Sequence, residues 1–304
     1  MSSRHIEFEI SEAEAGLRLD RLLGSRAPEL GRKRIAELFA LGLVTVDGRR
    51  ARKGDLGRAW QRVSAEAPAS DSALAAPDAP LEVLLERDDL VIVNKPAGQP
   101  SAALHGSAEA TTAGALLARY PEMASVGFGA REPGLVHRLD TQTSGALMAA
   151  RTQPAFLNLR KLVEAGELDK RYLALVEAHS IDDAGVVDVA LGPHHKNARK
   201  VSALDSSAPG ARAARSEYRV LERGPRFALV EVLASRAYRH QVRVHLAWRG
   251  SPIAGDELYG GATVGLGPRH ALHASYVAGE GEGVPAFAVT APLPEDMALL
   301  LRSR

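Results

Sequence analysis

The chain has 304 residues, 45% hydrophobic and 25% charged, enough for one large globular domain and a small one. It contains no cysteine, which excludes disulfides, thiolate metal sites and cysteine nucleophiles, and no apolar run approaches the ~20 residues of a membrane helix. The formal net charge of +1 hides an asymmetry: residues 1–64 hold 13 Lys/Arg against 9 Asp/Glu, whereas residues 65–80 hold three acids and no base.

The N-terminus, MSSRHIEFEI, lacks the apolar core of a signal peptide, so a cytoplasmic location is expected. Ile6, Phe8 and Ile10 alternate with Glu7 and Glu9, the pattern of a half-buried strand. Leu19, Leu22 and Leu23 predict a short amphipathic helix over 17–25, and Ile35, Leu38 and Phe39 a second, closed near Gly42. Val44-Thr45-Val46 followed by Asp47-Gly48 reads as a strand entering a tight hairpin turn. Arg32, Lys33, Arg34, Arg49, Arg50, Arg52 and Lys53 surround the second helix and the hairpin. Two helices and a basic hairpin resemble the S-four-type RNA-binding domain, named after a small-subunit ribosomal protein. The resemblance implies that these seven residues meet RNA phosphates, which position an RNA without reading its sequence. Residues 65–80, AEAPASDSALAAPDAP, have no helical or strand period and read as a linker.

Beyond the linker, 81–85 and 90–93 predict two strands around a turn at 86–89, and the second runs into Asn94-Lys95-Pro96-Ala97-Gly98. A helix is expected over 111–120. The Gly-rich stretch 127–134 leads into LVHRLDTQTSGALMAAR, residues 135–151, on which the rest of the chain is organised. Leu135 and Val136 suit a buried strand. A charged turn follows, and the chain becomes apolar again at 146–150. Charges between two apolar runs sit at the rim of a core, where a pocket can form. On a strand, Arg138 and Asp140 would share a face.

HRLD followed after two residues by TSG (137–145) resembles the signature of the RluA-type RNA pseudouridine synthases. The resemblance implies that Asp140 is a nucleophile and that Arg138, beside it, enters the base stack when a uridine is flipped out. Lys95 lies in an NKPxG element that the family carries near its cleft, although a surface lysine fits the position as well.

Further along, 154–165 predicts a helix capped by Gly166, and 172–176 a buried strand with Tyr172 at its start. The family's K-x-Y-x-A segment implies that Tyr172 stacks on the target base and moves a proton; without it, a core tyrosine with a bonded hydroxyl is the plainer reading. Residues 193–215 read as a basic loop with His194, His195, Lys196, Arg199, Lys200, Arg212 and Arg215 against one acid, an expected RNA contact. Adjacent histidines on an extended chain point apart, so no metal site is expected there. Paired strands follow at 216–221 and 227–233.

In SRAYRHQVRVHLAWRG, His240 and Arg243 sit at helical spacing. The string resembles the family's R-T-H-Q-I-R-V-H. Arg243 matches the arginine that pairs with the nucleophile, and His240 and Gln241 join His137, Arg138 and Lys95 as expected substrate contacts. Tyr238-Arg239 departs from the pattern, standing where the family has Arg-Thr. GDELYG (255–260) and ALHA (271–274) also resemble the family and are expected to be structural. A strand at 287–289 and a helix at 295–301 close the chain.

The whole predicts an α+β protein: an N-terminal αβ RNA-binding domain (1–64), a linker (65–80) and a catalytic domain (81–304) whose largely antiparallel mixed sheet is flanked by helices and loops. Asp140, Tyr172 and Arg243 are the expected catalytic residues. Pseudouridine formation is redox-neutral and consumes no activated group, so neither cofactor nor metal is expected; no Walker loop, GxGxxG or Cys/His metal box is present. The expected partner is structured RNA, ribosomal RNA first and transfer RNA second, bound by a monomer. A non-catalytic RNA-binding or assembly factor with the same fold is the alternative. A glycosidase commonly needs a second carboxylate near the first, and the central motif offers none.

Overall fold

The computed structural model describes residues 4–67, 73–103 and 110–303, leaving aside the side chains of Arg4, Glu29 and Lys33. The chain divides into two compact units, Met1–Ser72 and Ala73–Arg304.

The first unit carries β1 (Arg4–Glu9), α1 (Leu19–Arg26), α2 (Gly31–Leu41), β2 (Val44–Val46), β3 (Arg49–Arg50) and β4 (Arg62–Ala67). Both helices form where the leucine and isoleucine spacing predicts, and α2 ends on Gly42 in the left-handed region. Asp47 and Gly48 both have positive φ, the geometry that a two-residue hairpin joining β2 to β3 demands. The sheet order is β1-β4-β2-β3, and its buried face, with Ile10, Leu22, Leu23, Leu38, Val44, Val63 and Ala65, gives the unit its own core.

The expected linker is shorter than 65–80. β4 continues to Ala67, with Ala65 and Ala67 buried against β1. At the other end, Ala73 donates its N–H to Ala130 and Ala76 to Gly114, so this segment packs on the second unit. Alanine-rich strands carry too weak a hydrophobic period to be told from a tether.

The second unit is built on nine strands. They are β5 (Glu82–Glu86), β6 (Leu90–Lys95), β7 (Ser144–Ala150), β8 (Asp169–Glu177), β9 (Ala184–Asp188), β12 (Arg215–Arg223), β13 (Phe227–Leu233), β14 (Leu272–Gly281) and β15 (Val284–Thr290). Their order is β5-β6-β7-β14-β8-β13-β12-β9, with β15 paired to β14. Only β7 and β14 run parallel; every other pair is antiparallel. Helices α3 (Thr112–Arg119), α4 (Gln153–Ala165), α5 (Gln241–Trp248) and α6 (Glu295–Arg302) flank the sheet. This is the α+β architecture expected.

Three local expectations fail. Leu135 and Val136 form no strand: Leu135 makes a single bridge to Ala149. The supposed loop 193–215 contains half of a hairpin, β10 (Ala190–Pro193) paired antiparallel with β11 (Val201–Leu204), before β12 begins at Arg215. Strands β9 and β14 were not anticipated. Among the described residues no helix is long and apolar enough to cross a membrane.

Candidate active site

One rung across three strands locates the site. Tyr172 of β8 lies opposite Ala274 of β14, and Ala274 lies opposite Gly145 of β7. The turn that precedes β7 carries Asp140. Gly145 has a φ of 112°, and a Cβ there would stand 2.2 Å from the Ala274 carbonyl oxygen. Glycine is therefore required for β7 to approach β14. Its two predecessors point inward and lock the turn. Thr143 Oγ1 bonds His270 Nε2 at 2.9 Å, and Ser144 Oγ bonds His273 Nδ1 at 2.9 Å. The TSG string thus fixes the downstream end of the Asp140 turn.

The other side of the turn is held by residues from 95–101. Ser101 Oγ donates to the Leu139 carbonyl at 2.8 Å and accepts from Leu139 N–H at 3.1 Å. Lys95, fully buried, donates from Nζ to the carbonyls of Pro96, Gln99 and Thr141 at 2.9, 2.8 and 3.1 Å. Burial pulls its pKa down to about 7, opposed by the Asp140 charge and assisted by Arg269. The expected role of Lys95 in substrate contact is corrected: its ammonium is neither exposed nor free, and it braces the NKPAGQ loop against the turn.

Arg243 projects from the first turn of α5 toward Asp140, as its spacing predicts. Its Nη1 donates to Asp140 Oδ2 at 2.8 Å. Its Nε and Nη2 grip the buried Asp256 through both oxygens, at 2.7 and 2.8 Å. Arginine alone offers this fork, one edge for an anchoring carboxylate and one nitrogen left for another. At about 4 Å and an effective dielectric near 20, such a pair is worth on the order of 4 kcal/mol before desolvation.

Burial would raise the pKa of Asp140, but His240, where it is protonated at low pH, and the charge and bond of Arg243 overcome it, and the carboxyl sits below its ordinary value. His240 Nε2 is 3.6 Å from Asp140 Oδ2. Burial pulls the pKa of His240 itself down to about 4. At neutral pH the imidazole is uncharged, and the guanidinium keeps Asp140 ionised.

Tyr172 is buried. Its pKa is raised, first by burial and then by the Asp140 charge, so its hydroxyl holds its proton. No described residue bonds that hydroxyl, unlike the plain core tyrosine of the alternative reading. The strand-based expectation for Arg138 fails: there is no strand, and its Nη1 pairs with Glu132 at 2.8 Å, with 59% of the side chain exposed.

Two further residues expected at the substrate have structural partners. His137 Nε2 accepts the Met148 N–H at 3.1 Å, and burial, with the Lys170 and Arg160 charges, pushes its pKa down to about 3. It braces β7 as a neutral acceptor. Gln241 donates to the Arg215 carbonyl and Ser216 Oγ and accepts from Tyr238 N–H, which ties α5 to β12 and uses its amide on both sides. Asp256, Tyr259, Ser101 and His270 belong to the site or its supports and escaped the sequence reading. Asp256 and Tyr259 lie within GDELYG, and only a family-like string marked them.

In the first unit, Arg32, Arg49, Arg52 and Lys53 are exposed. Arg34 pairs with Glu37, and Arg50 donates to the Ala40 carbonyl at 2.8 Å, closing the hairpin on α2. The contact expected of Lys33 lies outside the described side chains. Among the described residues no group of three or more His, Asp or Glu is placed to hold a metal ion.

Residues 89–248 match the family described as RNA pseudouridylate synthase. The ribosomal large subunit pseudouridine synthase D of Xanthomonas campestris pv. campestris is 35% identical over 254 residues, 83% of this chain and 74% of that protein. The protein of the same name from Nitrosomonas europaea is 33% identical over 310 residues, 98% of this chain and 87% of that one. Among solved structures, human RNA pseudouridylate synthase domain containing 1 superposes with a TM-score of 0.58 at 24% identity, covering 70% of this chain and 83% of that one, a likeness of fold.

Proposed function

The chain belongs to the RNA pseudouridylate synthase family and isomerises uridine to pseudouridine in RNA; we propose that its substrate is large-subunit ribosomal RNA and that Asp140 is the nucleophile. The reading of the substrate follows the two bacterial relatives, whose names place them on the ribosomal large subunit. The reading of the nucleophile is carried by one observation: the 2.8 Å contact between Asp140 and an Arg243 that is itself anchored on buried Asp256.

The uridine is first extruded from its helix or loop, at a cost of a few kcal/mol. Arg138 leaves Glu132, an exposed pair worth little, and fills the gap. The Asp140 carboxylate then attacks the nucleotide, and the bond between the uracil nitrogen and the anomeric carbon breaks. One fragment stays on the enzyme while the uracil turns. Rejoining through carbon 5 releases the carboxylate; carbon 5 loses its proton and the freed nitrogen gains one, so the change is an isomerisation. Tyr172, protonated and without a described partner, stacks on the base. Its raised pKa favours that role over removal of the carbon 5 proton. Exposed cations of the first unit, together with Lys196, Arg199 and Lys200 at the β10–β11 turn, bind RNA phosphates.

The test is Asp140→Asn, which keeps the shape and removes the charge. With an unmodified large-subunit ribosomal RNA transcript, wild type is expected to introduce pseudouridine, read by chemical mapping. The variant is expected to bind that transcript within about threefold of wild type and to introduce none. Product from the variant overturns the nucleophile, and product only on a parallel transfer RNA transcript overturns the substrate.

A further inference from the structure

The β10–β11 hairpin and the catalytic pair meet at one side chain. Tyr259 Oη accepts from Val201 N–H of β11 at 2.9 Å and lies 3.3 Å from the Val201 carbonyl. The same oxygen is 2.8 Å from His240 Nδ1, on the residue that opens α5. His240 makes this bond from a backbone with a φ of 57°, a conformation that non-glycine residues avoid. The Tyr259 ring lies beneath the Arg243 guanidinium, 5.1 Å from centroid to Cζ. Tyr259 therefore touches the hairpin backbone, the imidazole beside Asp140 and the arginine bound to Asp140.

The far side of the hairpin turn is held by a residue that departs from the family pattern. Arg239 donates from Nη2 to the Arg199 carbonyl at 2.8 Å and from Nη1 to the Ala198 carbonyl at 3.3 Å. Arg239 and His240 are adjacent, so the turn is fixed twice to the start of α5, directly by Arg239 and through Tyr259 by His240. The turn between β10 and β11 carries Lys196, Arg199 and Lys200, and Lys200 Nζ stands 5.9 Å from the Tyr259 ring centroid. A shift of this turn strains or breaks its bonds to the start of α5, the helix that carries Arg243.

We propose that Tyr259 is a positioning residue which, with Arg239, makes the alignment of Asp140 and Arg243 depend on the position of the β10–β11 hairpin. The inference rests on the catalytic reading of Asp140 given above. Phosphates docked on the turn hold it in place, and the two links pass that restraint to the guanidinium. A nonproductive RNA that misses the turn leaves the pair loosely held. Specificity then enters through the rate and not only through affinity.

The test is a double-mutant cycle read as the single-turnover rate at saturating large-subunit ribosomal RNA transcript, with affinity measured separately. Tyr259→Phe keeps the ring under Arg243 and removes the bridging hydroxyl; Arg239→Ala, at an exposed side chain, removes the direct link. Each is expected to slow the rate roughly tenfold, the order seen when a reacting group is slightly misplaced. The double variant should be no slower than the slower single, because the restraint needs both links and is lost when either is cut. Affinity should change less than about threefold in Tyr259→Phe, and its thermal unfolding should match wild type. Multiplying losses in the double variant overturn the coupling, as does a Tyr259→Phe protein with the wild-type rate or with its loss confined to affinity. Pseudouridine made by Asp140→Asn refutes the catalytic reading instead, so the two failures are distinct.

Discussion

At the scale of single residues, the site separates charges that must stay from a charge that is poised to leave. Asp140 remains ionised because a permanently charged guanidinium faces it, so its contribution is present above the ordinary carboxylate range and is lost as pH falls through its lowered pKa. Lys95 is the opposite case. Its ordinary value is 10.5 and burial brings it to about 7. Between those limits the unfolded chain holds more protons than the folded one, so this lysine makes stability rise with pH across that window. Within the same window its amine keeps two protons for three carbonyls, and one of the three bonds is lost. We expect the difference in unfolding free energy between wild type and Lys95→Met to move in favour of wild type from pH 6 to pH 9, by urea titration at each pH. A difference independent of pH would place the lysine outside this account.

At the scale of elements, much was legible and the reason is periodicity. Leu19, Leu22 and Leu23 announced α1; Phe156 and Leu159 announced α4; Gly42 and Gly166 ended their helices in the left-handed region, as glycines there do. Strand β14 was missed because LHASYVAGEG sets histidine and serine among small residues. Its polar groups are satisfied inside the sheet: His273 bonds Ser144 and the Ala291 carbonyl, and Ser275 the Arg171 carbonyl. A buried polar strand of this kind shows no alternation. The hairpin β10–β11 was missed because its basic turn outweighed two short apolar runs. Asp140 and Arg243 were readable only through their motifs, since 103 residues separate them. Asp256 and Lys95 show why the remainder was not: a buried ion and its partners are adjacent only after folding. The β7–β14 contact yields a direct test. Gly145→Ala would set a methyl against the Ala274 backbone at a φ of 112°. It should destabilise the protein by about 2–4 kcal/mol and reduce the rate with it, because Thr143 and Ser144 hold the Asp140 turn. Circular dichroism melting checks the first effect; an unchanged melting temperature would mean the strands can part without loss.

For the whole molecule, the division of charge fits the proposed division of labour between two cores. The catalytic unit reaches its substrate through a few positioned groups, most of them bonded to one another. The first unit adds exposed cations whose value lies in not being paired: Arg32, Arg49, Arg52 and Lys53 are open to solvent, whereas Arg50 closes the hairpin and Arg34 faces Glu37. Free cations release counterions when they meet phosphates, so their effect is read in the salt dependence of binding. Replacing Arg32, Arg49 and Arg52 together by alanine should flatten the slope of log K against log salt by about 2–3, at ~0.7–0.9 per phosphate contact. The single-turnover rate at saturating RNA should hold within about twofold, because none of the three belongs to the unit that carries Asp140. The same triple change at unaltered slope would move the RNA path off this surface, and a lost rate at saturation would make the first unit part of the catalytic step. Arg50→Ala serves as the internal contrast: it removes the same charge but also the bond to Ala40, so it should lower the stability of the first unit where the triple variant does not.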